Sequence, residues 1–329
     1  MPLAGETQRQ WTNVLMKFYV GITDNKWFEF LASRKPDEVN FWRPGGMGSF
    51  HAIPPLSPFL FKLRSPNNFI VGGAFFVSHS NLPLSLAWQA FGEKNGSPAI
   101  DALRALIEPL RRNKPKEHDP VIGCTILTSP FFFERSEWIQ TPSDWAPSIV
   151  QGKTYTTDEP IGASLWAEVQ ARLQMGDAVK PSVVEGGASL QAEEVARYGT
   201  EFLTRARLGQ GAFRVLVTDA YTRRCAITGE RTLPVLEAAH IQPFAESGPN
   251  VTANGLLLRS DLHKLFDSGY LSVTPDLSVK VSRKIKEEFD NGRDYYALDG
   301  RKLVVVPLTI RDRPSAQFLE WHNRNKYRE

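Results

Sequence analysis

The chain has two cysteines, four methionines and six histidines among 329 residues. Two cysteines as far apart as Cys124 and Cys225 build no disulfide framework, so burial has to hold the fold, and this usage fits a reducing compartment. No uninterrupted apolar run approaches the roughly 18 residues that a membrane-crossing helix needs. The opening stretch, MPLAGETQRQWTNVL, lacks the basic start and long apolar core of a signal peptide. A cytoplasmic protein with no membrane partner is therefore expected. Charge of one sign is scarce too: 39 Lys and Arg against 36 Asp and Glu leave a net +3. Any affinity for a polyanion must then come from local basic patches, not from an overall field.

What is present is an ordinary globular composition, 42% hydrophobic and 23% charged, in a chain long enough for two cores. Residues 1–15 are polar and unpatterned and read as an extension. Residues 16–173 are mixed and rich in aromatics. Residues 174–200 carry Gly176, Pro181, Gly186 and Gly187 with few apolar positions and read as a linker with a short helix from Ala192. Residues 201–329 form a second domain. In the first domain, strands are expected at Lys17–Gly21, Glu38–Trp42, Phe59–Leu63, Phe69–Ser78 and Val121–Leu127, with a bulge or close backbone approach at Gly72-Gly73. Helices are expected at Asn25–Ala32, Leu82–Phe91 and Ala99–Arg112, the last ending in a basic cluster of Arg111, Arg112, Lys114 and Lys116. In the second domain a helix spans Gly211 to about Tyr221, strands cover Leu271–Val273, Val279–Val281 and Leu303–Leu308, and a helix covers Ser315–Trp321.

The chemistry concentrates in Cys225–Asp267, CAITGERTLPVLEAAHIQPFAESGPNVTANGLLLRSDLHKLFD. Leu233–Ala239 is an apolar run with strand character that delivers His240 to a strand end. A polar loop, Glu246–Thr252, follows, and Asn254–Leu258 is a second short strand, making a hairpin with a long loop. Ser260-Asp261 then offers an N-cap to a helix whose apolar face is Leu262, Leu265 and Phe266, while His263 and Asp267 stand one turn apart.

The spacing His240-x13-Asn254-x8-His263, in the order strand, loop, strand, helix, resembles the HNH endonuclease family, whose fold is the ββα-metal finger. The resemblance implies that His240 is the general base that takes a proton from the attacking water. It implies that Asn254 ties the loop together and helps orient that imidazole, and that His263 is a ligand of a divalent cation. Asp267 stands where colicin-type nucleases place a further histidine ligand, so it is expected as a second ligand of Mg²⁺, or of Mn²⁺ or Ni²⁺. Two departures bear on this. Ala239 replaces the Asp or Glu that many of these enzymes carry just before the first His, which leaves fewer protein ligands; Glu237, two residues back, is another candidate. Cys225-Ala-Ile-Thr-Gly229 keeps the shape of a CxxC knuckle without its second Cys, so no structural zinc is expected.

In the first domain, the strand Phe59–Leu63, a turn, the strand Ile70-Val71-Gly72-Gly73 and Leu82-Pro83 resemble the PUA-like superfamily, which includes EVE, SRA and YTH domains. That resemblance implies a small β-barrel with helices around it, within an α+β chain. It also implies a pocket that holds a flipped modified base between aromatic walls, here Trp42, Phe76 and Trp88, with Asn40, Ser78 or His79 as polar readers. Arg214, Arg223 and Arg224 would contact DNA phosphates beside the finger, or else form a solvated helix face. The expected activity is cutting of double-stranded DNA that bears modified cytosine, by a homodimer. Two other readings stay open: a nucleic-acid-binding or regulatory protein whose finger lost its metal through Ala239, and a nuclease whose first domain senses a different signal.

Overall fold

The computed structural model describes residues 15–46, 48–111, 117–177 and 208–329. The expected extension (1–15, all but its last residue), most of the linker with its helix from Ala192, and the basic residues Arg112, Lys114 and Lys116 fall outside the described residues. In chain order the described elements are β1 (Lys17–Thr23), α1 (Asn25–Arg34), β2 (Glu38–Arg43), β3 (Pro58–Leu63), β4 (Phe69–Pro83), α2 (Leu84–Phe91), α3 (Ile100–Ile107), β5 (Val121–Phe132), β6 (Ile139–Gln140), β7 (Gly152–Thr156) and α4 (Pro160–Asp177). They continue with α5 (Gln210–Ala220), β8 (Leu236–His240), β9 (Gly255–Arg259), α6 (Ser260–Asp267), β10 (Leu271–Val273), β11 (Val279–Val281), α7 (Lys284–Phe289), α8 (Arg293–Tyr296) and α9 (Ala316–Asn325). The result is mixed α+β, and among the described residues no helix is long and apolar enough to cross a membrane.

The chain forms two compact units, each assembled from separated stretches: the described parts of 1–25, 51–76 and 131–206 in one, and of 26–50, 77–130 and 207–329 in the other. In the first unit β3 is parallel to β1 and antiparallel to β4, β7 flanks β1, and β6 adds to β4. The β3–β4 register slips between Phe61 and Lys62, opposite the Gly72 region. A Cβ on Gly72 would lie 2.2 Å from the Phe131 carbonyl oxygen, so the expected close backbone approach is real and excludes any side chain. The order β4-β3-β1-β7 is open, and among the described residues no pairing returns β7 to β4. The small closed barrel expected from the sequence is therefore not formed. This unit's core is Phe18, Val20, Leu60, Ile70, Tyr155, Leu165 and Val169 with their neighbours.

The second unit has two cores that share α5. Ala212 and Val215 face Leu84, Leu103, Ile122 and Ile126, whereas Phe213 and Val217 face the hairpin of β8 and β9. Leu256, Leu257 and Leu258 are all fully buried, which requires that both faces of β9 be covered. Each such side chain contributes about 1.5–3 kcal/mol by leaving water, so hairpin and helices form one body.

Several boundaries differ from the sequence reading. The strand β4 continues through Pro83, and α2 starts at Leu84 and not at Leu82, because Pro83 holds an extended conformation there and the Leu84 amide is taken by the Pro120 carbonyl. The strand leading to His240 begins at Leu236, since Leu233–Val235 is a 3-10 turn around Pro234. The stretch Leu303–Leu308 is not a strand: the Val304 and Val305 amides both turn to the Ala226 carbonyl, and Leu308 is 86% exposed.

Candidate functional site

The hairpin places the site. β8 and β9 are antiparallel with Glu237 opposite Leu258, Ala239 opposite Leu256 and His240 opposite Gly255. Successive side chains of a strand alternate faces, so Glu237 and His240 leave opposite faces of β8, with His240 at the strand's last position. Residues 241–254 return the chain through two 3-10 turns, Phe244–Glu246 and Thr252–Asn254. That return is tight at Gly248, where a Cβ would lie 1.9 Å from the Gln242 carbonyl oxygen; only glycine fits.

Asn254 is fully buried at the root of the loop. Its Nδ2 donates to the carbonyls of Gln242 (2.9 Å) and Pro249 (3.0 Å), while its Oδ1 accepts from the Gln242 amide (2.9 Å). Every polar atom of the amide is thus spent on tying both ends of the loop together, the structural part of the expected role. It makes no hydrogen bond to His240. The residue that does is Asn250, whose Oδ1 lies 2.8 Å from His240 Nε2. The other side of the imidazole is covered by Phe213 of α5, stacked at 3.8 Å between centroids with a 13° tilt. Burial lowers the pKa of His240; the Asn250 bond and the charge of Asp267 raise it less, and the charge of His263 adds to the lowering. No hydrogen bond joins the rings of His240 and His263 among the described residues.

On α6, Leu262 and Phe266 point into the core while the neighbouring stripe carries His263 and Asp267. The expected Ser260-Asp261 cap is not used: Ser260 is already helical, and Asp261 is held by Arg259 at 2.6 and 2.8 Å. The His263 ring is gripped at both nitrogens, with Glu237 Oε2 2.6 Å from Nδ1 and Asp267 Oδ2 3.2 Å from Nε2. Burial alone would depress its pKa, but the hydrogen bonds and charges of Asp267 and Glu237 outweigh that and raise it.

Among the described residues no three His, Cys, Asp or Glu side chains converge as a metal cage. The reason is visible in this geometry, since the two carboxylates occupy opposite edges of one ring. The donors present do fit a divalent ion carried by fewer protein groups. The 3.2 Å between His263 Nε2 and Asp267 Oδ2 is the spacing of two adjacent ligands each about 2.1 Å from a small divalent ion. Glu237, on Nδ1, would then be the outer carboxylate beside such an ion, at 2.6 Å from the ring.

The three arginines are placed around α5 and its C-terminal turn. Arg214 donates to the Gln89 carbonyl at 2.6 Å. Arg223 binds the Asn81 carbonyl, Ser80 Oγ and Asp219, and Arg224 keeps a buried Nε with no hydrogen-bond partner. Of the residues expected to line a base pocket, Asn40 is fully buried. Its Nδ2 reaches Asn95 Oδ1 (2.8 Å) and Cys124 Sγ (3.3 Å) while its Oδ1 has no partner. Trp42 Nε1 donates to the Asn95 carbonyl at 2.9 Å, and Trp42 and Trp88 pack on the same apolar cluster. His79 is held between Thr125 Oγ1 (3.1 Å) and the Gly48 carbonyl (3.0 Å). Phe76 is a buried core residue of the other unit. The sequence reading did not single out Asn250, Phe213 or Glu38, and gave Glu237 only as a possible ligand. Asn250 sits in a run of turn-forming residues whose polarity alone explains the loop, so nothing distinguished it.

Residues 225–274 match the family model described as HNH endonuclease, and this stretch of the chain is an HNH endonuclease domain. Among solved structures, the modification-dependent TagI restriction endonuclease is similar at 15% identity, over 88% of this chain and 75% of its own, with a TM-score of 0.25. A mutant of the ZmASCH protein from Zymomonas mobilis is similar at 8% identity, over 46% of this chain and 97% of its own, with a TM-score of 0.30. No curated protein matches the chain.

Proposed function

We propose that the chain is a metal-dependent endonuclease of double-stranded DNA, in which residues 201–329 hydrolyse the phosphodiester and residues 16–173 select the substrate. The observation that carries this reading is local. Within the stretch matching the HNH model, the strand that ends in His240 also carries Glu237, whose carboxylate holds the ring of His263 at 2.6 Å, so one short hairpin strand ties both histidines to the same finger. In this reading His240 accepts the proton of the attacking water, held in place by Phe213 and Asn250. His263 Nε2 and Asp267 hold the ion, Mg²⁺ first and Mn²⁺ or Ni²⁺ as substitutes, with water and phosphate oxygens completing the shell. When bound, the ion supplies charge stabilisation to the oxygen that leaves phosphorus. Asn254 keeps the loop closed and Glu237 keeps the His263 ring in register. The reading includes no structural zinc, since the stretch from Cys225 to Gly229 lacks the second Cys of a knuckle.

The selected feature is proposed to be a modified cytosine, read by Asn40, Trp42, Trp88 and His79 of the second unit, with Arg214, Arg223 and Arg224 on phosphates; Phe76, a buried core residue of the other unit, drops out of this set. A homodimer in the cytoplasm would allow one finger per strand. Purified protein with each ion should cut phage DNA bearing modified cytosines. His240→Ala should lose about 10²-fold or more of the rate while binding the same DNA; cutting that survives the substitution would defeat the assignment. Equal cutting of unmodified DNA would leave the nuclease and remove the base reader. Ala239 in place of an acidic ligand favours one other reading, a DNA-binding protein with an idle finger; it predicts binding without cutting under every ion.

A further inference from the structure

The two ring nitrogens of His240 are not equivalent. Asn250 Oδ1 lies 2.8 Å from Nε2, and Nδ1 has no hydrogen-bond partner among the described residues. Which atom of the Asn250 amide faces the imidazole follows from its other contact: Asn250 Nδ2 lies 2.7 Å from the carbonyl oxygen of Leu208. A backbone carbonyl can only accept, so the NH₂ must face Leu208 and the Oδ1 must face His240. An amide oxygen in turn only accepts, so Nε2 of neutral His240 must carry the proton. Nδ1 then holds the free lone pair.

The support for this arrangement comes from one short segment. Leu208 supplies the carbonyl that orients Asn250, and Phe213, one turn and a half further on, stacks flat on the same imidazole. Between them the amides of Gly211 and Ala212 are each bound at 2.8 Å by the buried Glu38 carboxylate of β2. The residues that set the plane of the ring and those that set its proton therefore belong to one rigidly anchored stretch of backbone. Resting on the nuclease reading above, we infer that Asn250 is a positioning residue for the general base: it locks His240 as the Nε2–H tautomer so that Nδ1 is the atom that receives the proton of the attacking water. Asn254 performs a different task, closing the loop on which Asn250 rides.

The test uses the full chain with ¹⁵N-labelled histidine, at a pH where the ring is neutral, with His240→Gln identifying the signals. Long-range ¹H–¹⁵N spectra should show wild-type His240 protonated at Nε2 and bare at Nδ1. In Asn250→Ala the Nδ1–H form should appear, and kcat on cleavable DNA should fall about tenfold or more, with the Kd for DNA unchanged. Asn250→Asp keeps an acceptor for Nε2–H but gives up the tie to Leu208. It should preserve the wild-type tautomer, recover most of the rate, and move the acid limb of the pH–rate profile to higher pH because a carboxylate stabilises the imidazolium. A wild-type ring protonated at Nδ1, or an Asn250→Ala protein with unaltered tautomer or unaltered kcat, overturns the inference. If the alanine variant does not fold, an aspartate variant protonated at Nδ1 overturns it equally. Wild-type protein that shows the expected tautomer yet cuts no DNA under any ion overturns the nuclease reading and leaves the assignment of the ring intact.

Discussion

His263 is the residue on which the metal question turns, because each of its nitrogens has a carboxylate and the two stand at different distances from the ring. Asp267 is reached from the same helix one turn away, and its 3.2 Å separation from Nε2 leaves room to share an ion. Glu237, at 2.6 Å from Nδ1, is at direct hydrogen-bond distance and leaves no such room. Glu237→Gln keeps the size of the side chain and can still accept from Nδ1–H, but removes the charge that makes the imidazole a better donor to metal. Affinity for Mn²⁺, measured by calorimetry on the DNA-free protein, is expected to weaken about 10–100-fold. Asp267→Asn should weaken it at least as much. Equal affinity in Glu237→Gln and wild type would remove Glu237 from the site. At this scale the sequence was legible where spacing within one element decides, as for His263 and Asp267 at i and i+4. It was silent where a contact depends on the return of a loop, as with Asn250 and His240, because a run of Pro, Asn, Gly and Ser reads as a turn whatever its side chains later touch.

Helix α5 is the element that the sequence understated. The sequence marks it only as a helix from Gly211 to about Tyr221, yet it is buried on two sides, by Ala212 and Val215 against one cluster and by Phe213 and Val217 against the other. Its first turn is not capped by its own N-cap, Gly209, which has no side chain to offer. The cap comes from a distant strand: both oxygens of Glu38 accept from Gly211 and Ala212, and Lys94 sits 2.9 Å from the same carboxylate. A fully buried carboxylate is tolerated only with such partners. Glu38→Ala would orphan two buried amides at a helix N-terminus and leave Lys94 to Asp37 alone. The expected cost is about 3 kcal/mol, read as a lower urea midpoint with an unchanged slope; a loss below about 1 kcal/mol would mean that water replaces the carboxylate. From the sequence, Glu38 was legible only as the first residue of a strand, since nothing local connects it to a helix more than half the chain away. The strand expected at Leu303–Leu308 failed for the opposite reason. Its unbroken run of Leu and Val is a good local signal, but Pro307 and the shared Ala226 carbonyl leave it no ladder to join.

At the scale of the molecule, three histidines of the second unit contribute to acid stability in different directions. His322 is 1% exposed, stacked on Phe266 at 3.8 Å, and placed between Ser272 Oγ (2.8 Å) and the Phe266 carbonyl (3.1 Å). The carbonyl can only accept, so Nε2 carries the proton, Nδ1 accepts from Ser272, and a second proton would displace that hydroxyl hydrogen. Burial accordingly pushes its pKa down to about 4, and His240 is lowered as well. Between the ordinary value and the folded one, the unfolded chain binds a proton that the folded chain refuses, so stability is full above about pH 6.5 and falls as pH drops toward 4. His263 has the opposite sign: its pKa is raised, so its contribution is complete in acid and fades as pH rises through the folded value. Of the three, His322 has the largest displacement. Moving from pH 7 to pH 4 should cost the second unit about 3 kcal/mol through this one residue. Hydrogen exchange of the buried amides of α9 is the direct measurement, since that helix carries His322 and packs on β10. Protection should fall steeply below pH 6.5 in wild type. In His322→Asn, which can offer an acceptor to Ser272 without titrating, the amides should start less protected at neutral pH and show a flatter acid dependence. If the substituted protein loses protection toward acid as steeply as wild type, the burial of His322 is not the source of the acid sensitivity.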